Sequence, residues 1–249
     1  MQAKKSLGQN FLADPAILKK IVGVSEVKNN DLVLEIGPGH GTLTQEILTT
    51  GANVIAVEKD HRLIATLTEK FAEKIKTGQL KIIEADILNF AFEALEAKAY
   101  KLIGNVPYYI SGEILRKFLT SKNQPQSMTL LLQKEVVERI VAKKESLLSL
   151  SVKVYGEPKK EFIVKAGSFR PAPKVDSAVL TIKNISRKKF IDAGHEQKFF
   201  EIIHQGFAHK RKQLKNNLII EAGITVKCGV NLTQRAEALT LENWLCLSH

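Results

Sequence analysis

The chain has 249 residues, 44% of them hydrophobic and 6% aromatic, with a net charge of +11 at pH 7. That is enough apolar material for a substantial core, but no apolar run approaches the roughly 18 residues of a membrane span. The start, Met1-Gln2-Ala3-Lys4-Lys5, lacks a signal-peptide apolar segment, which makes a cytoplasmic location the expectation.

In chain order, Asp31-Leu32-Val33-Leu34-Glu35-Ile36 reads as a buried strand, and the residues from Gly41 to Leu48 as a helix. The turn between them, Glu35-Ile36-Gly37-Pro38-Gly39-His40-Gly41, lets a ligand approach the backbone closely. Counted from Gly37 and Gly39, a dinucleotide fingerprint needs a third small residue at position 42, which is Thr42. The spacing instead fits the Glu-x-Gly-x-Gly-x-Gly turn of S-adenosylmethionine enzymes, which have no pyrophosphate to cradle. Asn53-Val54-Ile55-Ala56-Val57-Glu58 is a second strand closing on an acid suited to ribose hydroxyls, and residues 80–86 are a third closing on Asp86, an acceptor for an adenine amine. A fourth strand-like run, residues 100–104, leads into Asn105-Val106-Pro107-Tyr108, and residues 127–133 form a fifth. Helical segments follow near residues 134–142 and 147–155, then strands at 161–166 and 178–183. This order predicts a largely parallel sheet with an antiparallel pair at one edge. Residues 184–194 read as a linker and 195–249 as a small helical domain, which gives domains at 1–184 and 185–249. Cys228 and Cys246 form no Cys-x-x-Cys pair and the six His residues no His-Glu-x-x-His pattern, so neither a metal nor a structural disulfide is expected.

Asn105-Val106-Pro107-Tyr108 suits an amine on a planar base. The exocyclic amine of adenine is a poor nucleophile because its lone pair is delocalised into the ring. Two acceptors, the Asn105 side-chain oxygen and a main-chain carbonyl in a turn fixed by Pro107, can take both N–H groups and aim the nitrogen. Tyr108 offers a plane for an extruded base. The position after a strand suits a site, since open α/β sheets build theirs at strand carboxyl ends.

At this point the chain resembles a known family. Lys5-Ser6-Leu7-Gly8-Gln9-Asn10-Phe11-Leu12, the glycine turn, Asn105-Val106-Pro107-Tyr108-Tyr109-Ile110-Ser111, the segment from Phe169-Arg170-Pro171 through Val175-Asp176-Ser177-Ala178-Val179, and Phe207-Ala208-His209-Lys210-Arg211-Lys212-Gln213-Leu214 all look like the KsgA family. These are small-subunit rRNA adenine N6,N6-dimethyltransferases. The resemblance implies a Rossmann-like class I methyltransferase fold, with a mostly parallel seven-stranded sheet plus a small C-terminal α-helical domain. It implies S-adenosylmethionine as cofactor and S-adenosylhomocysteine as product. It also implies that Asn10 and Leu12 contact the methionine end, Gly37 the carboxypropyl region, Glu58 the ribose, and Asp86 and Ile87 the adenine. Asn105 would stand between cofactor and target, with Tyr108 and Phe169 sandwiching the target base. Tyr109 departs from the Asn that many relatives carry there, and is expected to alter packing or substrate tolerance.

Charge points to the partner. Residues 1–100 carry 12 Lys and Arg against 13 Asp and Glu, whereas residues 101–249 carry 25 against 13, so the whole positive excess follows the Asn105 motif. Arg187-Lys188-Lys189 and Lys210-Arg211-Lys212 with Lys215 suit phosphate contacts. The expected partner is small-subunit rRNA within an assembling 30S-type particle, bound by a monomer without metal or membrane. Three alternatives stand beside this reading. An Erm-type large-subunit methyltransferase shares the Gln-Asn-Phe-Leu and Asn-x-Pro-Tyr motifs, but the Phe169 and Lys210 segments are more like KsgA. The others are a mitochondrial relative doubling as a transcription factor and an assembly factor acting by binding.

Overall fold

A computed structural model describes residues 9–91, 99–218 and 222–249. Lys5, Ser6, Leu7 and Gly8 of the N-terminal motif lie outside the described residues. By internal packing the chain divides into two units, Met1–Val137 with Lys159–Ile185, and Glu138–Pro158 with Ser186–His249. Residues 138–158, which the sequence reading placed with the sheet, group with the second unit.

In the first unit a short strand β1 (Phe11–Leu12) precedes α1 (Pro15–Ser25). Proline begins α1, where its missing N–H costs nothing, and the Asp14 carboxylate accepts from the N–H groups of Ala16 and Ile17. Then come β2 (Leu32–Ile36), α2 (Thr42–Leu48), β3 (Asn53–Glu58), α3 (His61–Lys70), α4 (Ala72–Lys76), β4 (Leu80–Glu84), β5 (Lys101–Asn105), α5 (Ser111–Leu119), β6 (Ser127–Gln133) and α6 (Lys134–Val141). After α7 (Leu147–Lys153) the chain returns as β7 (Glu157–Val164), β8 (Phe169–Arg170) and β9 (Ser177–Lys183).

Seven strands make one sheet in the order β4-β3-β2-β5-β6-β9-β7. The β2, β3, β4, β5 and β6 pairings are parallel, and β9 runs antiparallel to β6. Parallel strands are covered on both faces, which is why β2 and β6 read as nearly continuous apolar runs. The last strand in sequence, β9, lies inside β7, so the edge is formed by the earlier of the two. Local pattern gives strands and not their order, and this insertion had no signal in the sequence. The strand order reverses beside β2, with β3 on one side and β5 on the other. Ligands in such sheets sit at that switch point, outside the carboxyl ends. Gly104 fits it closely: a Cβ there would stand 2.9 Å from Ile36 Cβ and 3.0 Å from its carbonyl. That approach sets the end of β5, and with it Asn105, against the glycine turn.

In the second unit α7 starts in a capping box, with Ser146 and Ser149 each accepting the other's main-chain N–H, a motif of about 1 kcal/mol. The helices α8 (Ala193–Gly206), α9 (Ala222–Lys227) and α10 (Leu241–Leu247) follow. Gly206 is needed where α8 meets Trp244, because a Cβ would lie 2.3 Å from the fully buried indole. Contrary to the sequence expectation, Cys228 and Cys246 are joined in a disulfide, with Cα atoms 5.6 Å apart. The 18-residue separation left no local pattern by which to pair them. No helix among the described residues is long and apolar enough to cross a membrane.

Candidate active site

A cavity of about 290 Å³ opens at the carboxyl ends of β2, β3 and β5. Its lining brings together Asn10, Gly37, Glu58, Asp86, Ile87, Asn105, Pro107 and Tyr108, eight of the ten residues expected in the cofactor and target sites. The glycine turn forms because Gly37, Gly39 and Gly41 all adopt positive φ, at 63°, 59° and 72°. A Cβ on Gly39 would also strike the Phe11 ring at 2.8 Å, so the turn and β1 pack without space for a side chain.

The acids on β3 and beyond β4 differ in character. Glu58 is buried, and its two oxygens accept from Gly39 N–H at 3.1 Å and Asp60 N–H at 2.8 Å. Burial raises its pKa despite those bonds. Asp86 is more open. Its Oδ1 accepts from Leu88 N–H at 3.0 Å and its Oδ2 from Lys59 Nζ at 2.7 Å, and the bond from Lys59 holds its pKa below the ordinary range. Lys59 was not anticipated. It follows Glu58 directly, but only the pairing of β3 with β4 brings it within reach of Asp86. Together these side chains offer two acceptor carboxylates and the apolar face of Ile87, a set complementary to ribose hydroxyls, an adenine amine and an adenine ring.

Asn105 ends β5. Its Nδ2 donates to the Asn10 carbonyl at 2.8 Å. A carbonyl can only accept, so this bond fixes the amide orientation and leaves Oδ1 as the acceptor. Beyond it the chain turns into a short 3₁₀ helix, Tyr108–Ile110. There the Pro107 carbonyl accepts from Ile110 N–H at 3.2 Å and the Tyr108 carbonyl from Ser111. The Val106 carbonyl is used by neither bond. The half-buried Tyr108 ring is held by its hydroxyl, 2.7 Å from Ser177 Oγ on β9, and burial raises its pKa. Tyr109 also lines the cavity, with 60% of its surface exposed.

Two expected residues are not brought to this cavity. Leu12 is buried and faces a smaller space lined also by Phe11, Pro38, His40 and Asn105. Phe169 is fully buried in the core with Leu131 and Val179. Alternation along β8 turns Phe169 inward and leaves Arg170 exposed, so the expected aromatic sandwich has only its Tyr108 side at the cavity.

Glu35 lies beneath the turn, outside the lining. Burial pushes its pKa up to about 8, and neither carboxyl oxygen has a hydrogen-bond partner among the described residues. Thr44 is close enough to lower that pKa against the larger effect of burial, yet its Oγ1 closes no hydrogen bond of good geometry.

Of the basic residues in the second unit, Lys188, Lys189, Lys210, Arg211, Lys212 and Lys215 are exposed, and residues 209–212 line a shallow concavity. Arg187 is committed differently: its Nε pairs with Glu196 at 3.0 Å and its guanidinium lies over the Tyr155 ring.

The sequence model of the ribosomal RNA adenine dimethylase family matches residues 1–249. The chain belongs to that family. A ribosomal RNA small subunit methyltransferase A from Dehalococcoides mccartyi (strain CBDB1) is 40% identical to this dimethylase across 100% of the chain and 89% of its own length. The enzyme of the same name from Mycoplasmopsis synoviae (strain 53) is 43% identical across 85% of the chain and 80% of its own length. Two solved structures share the fold. A dimethyladenosine transferase from Plasmodium falciparum has a TM-score of 0.80 at 24% identity, covering 95% of each chain. The 23S rRNA methyltransferase ErmE has a TM-score of 0.79 at 22% identity, covering 96% of this chain and 98% of its own. The Rossmann-like methyltransferase fold expected from the sequence is therefore the fold of this dimethylase.

Proposed function

We propose that this dimethylase transfers methyl groups from S-adenosylmethionine to N6 of two adjacent adenines near the 3′ end of small-subunit rRNA, twice each, in the cytoplasm. The single observation that carries the chemistry is the Asn105 amide, locked by the Asn10 carbonyl so that Oδ1 points out as an acceptor. Oδ1 and the Val106 carbonyl each accept one N–H of the target amine. The lone pair is thereby withdrawn from the ring and aimed without a strong base. Bound in the cavity, S-adenosylmethionine supplies an electrophilic methyl on its sulfonium. Glu58 holds the ribose and Asp86 the adenine amine, for which Lys59 must yield one carboxylate oxygen. Ile87 covers the adenine face, and Gly37 leaves the main chain open beside the amino-acid end. Asn10 closes that end, and Leu12 packs behind it in the smaller neighbouring space. Tyr108 stacks on the extruded base, while Phe169 supports β1 through its register with Leu12. Each transfer leaves a cationic nitrogen that sheds one proton to water, so for the second methyl the amine has one N–H left and one of the two acceptors goes unused.

Fold does not separate a small-subunit from a large-subunit enzyme, since both solved neighbours superpose equally well. Sequence favours the small subunit, because the relatives at 34–43% identity bear that name. The exposed lysines and arginines of the second unit, Arg187 apart, suit the phosphates of folded rRNA in an assembling particle, approached by a monomer. The deciding test supplies labelled S-adenosylmethionine to separately purified, unmethylated small and large ribosomal subunits, followed by nucleoside analysis. Dimethyladenosine at adjacent small-subunit positions is the expected product. Label confined to the large subunit would move the enzyme to the Erm type, and no label in either would leave a binding factor.

A further inference from the structure

The Asn10 carbonyl that orients Asn105 belongs to a segment anchored on both sides. Before it, Gln9 Nε2 donates to Asp60 Oδ2 at 3.0 Å. After it, the Leu12 carbonyl accepts from Thr42 Oγ1 at 3.2 Å, Ala13 N–H donates to the Ser168 carbonyl at 3.1 Å, and β1 pairs with β8. Asp60 is a stiff post. It is buried, and Arg62 grips its carboxylate with Nε at 2.8 Å and Nη2 at 2.5 Å. Its own N–H is bound by Glu58 Oε1. Thr42 is equally well placed, as the first residue of α2 directly after the left-handed Gly41.

We propose that Gln9 and Thr42 are positioning residues for methyl transfer, clamping the N-terminal segment so that the Asn10 carbonyl keeps Asn105 Oδ1 turned toward the target amine. This rests on the reading of Asn105 as acceptor. An Asn amide has nearly the same shape when flipped, so packing alone selects its two faces poorly. A flipped Asn105 would present its NH₂ to the target's NH₂, donor against donor, and the amine would lose its aim. The clamp also gives the side chain at position 42 a task, where a dinucleotide fingerprint calls for a small residue. Position 42, where a dinucleotide enzyme would bring its backbone close to a pyrophosphate, here serves the catalytic amide through β1.

The test uses the full chain with unmethylated small subunits. Thr42→Val removes the hydroxyl and keeps the branched shape, Thr42→Ser restores the hydroxyl, and Gln9→Leu releases the other anchor. Measured are kcat, KM for S-adenosylmethionine and the dissociation constant for S-adenosylhomocysteine. Thr42→Val and Gln9→Leu are each expected to lower kcat roughly tenfold, the scale of a sub-ångström misplacement. For Thr42→Val, outside the cavity lining, binding of S-adenosylhomocysteine should shift by less than about threefold, and Thr42→Ser should recover most of kcat; Gln9 lines the cavity itself, so its variant is read by kcat. A Thr42→Val enzyme with wild-type kcat overturns the proposal. So does a parallel loss of cofactor affinity and kcat, which would make the clamp a cofactor lid. Asn105→Ala serves as the reference: if that variant keeps full activity, the reading of Asn105 has failed and not merely the clamp.

Discussion

The carboxyl-end cavity of the first unit and the basic surface of the second are built on opposite plans. Around the cavity nearly every polar group is spoken for: Glu58 by two main-chain N–H groups, Asp86 by Lys59, Tyr108 by Ser177, Asn105 by Asn10. In the second unit, Lys188, Lys189 and residues 210–212 stand exposed. A reacting amine must be aimed to within a fraction of an ångström, and preorganised dipoles lower a barrier only if they do not have to reorganise. Phosphate attraction works through charge and released counterions, and tolerates mobile side chains. The difference predicts that substitutions in the first region change rate and those in the second change affinity.

Asn105→Ala tests this most severely. Losing one preorganised acceptor is expected to lower kcat by roughly 10²–10³-fold, while binding to unmethylated small subunits stays near the wild-type value. Comparable losses in both would erase the distinction between the regions. The converse variant replaces Lys210, Arg211 and Lys212 together by Ala. Binding should weaken uniformly, and the slope of log affinity against log salt should fall by about 2–3, close to one per charge. At saturating substrate, kcat should be unchanged. An unaltered salt slope would remove these residues from the RNA interface.

Tyr108 sharpens the comparison, because it combines a stacking face with a tethered hydroxyl. Tyr108→Ala removes a base-stacking plane of about 1–3 kcal/mol, which corresponds to a loss in kcat/KM of roughly 5- to 150-fold. Tyr108→Phe keeps the plane and loses only the bond to Ser177, so a smaller loss of a few fold is expected. If Phe proves as damaging as Ala, the tether to β9 governs the site and stacking does not.

How much of this was legible in the sequence follows from how each feature is encoded. Buried parallel strands announce themselves as apolar runs, and the acids Glu58 and Asp86 stand out because they interrupt such runs at the ends. Asn105 was found because its motif is contiguous. Features that depend on strand order or on long-range approach left no local trace. These include β9 inside β7, residues 138–158 joining the second unit, the Cys228–Cys246 bond, and Lys59 on Asp86. The burial of Phe169 went unread for a related reason. A motif marks a residue as special without saying which way its strand turns it, and the two-residue strand β8 turns it into the core. Arg187 has the charge expected of a phosphate contact, but its partner Glu196 is nine residues away on α8.

The smallest expected effect concerns the floor under the glycine turn. Glu35 has its pKa pushed up to about 8 by burial, against an ordinary value of 4.5. Between those values the folded chain holds a proton that the unfolded chain has released, so the unfolded state binds fewer protons and stability falls as pH rises through that window. Glu35→Gln has the same shape and no charge to bury. Its melting temperature relative to wild type should therefore climb steadily from pH 5 to pH 8 and level off above. Cofactor affinity should move little, since Glu35 lies outside the cavity lining. A melting difference independent of pH would mean that the carboxylate is charged and solvated in the folded state. The glycine turn would then rest on an ionised floor, and the contrast between a fixed, preorganised site and an open charged surface would no longer hold at its base.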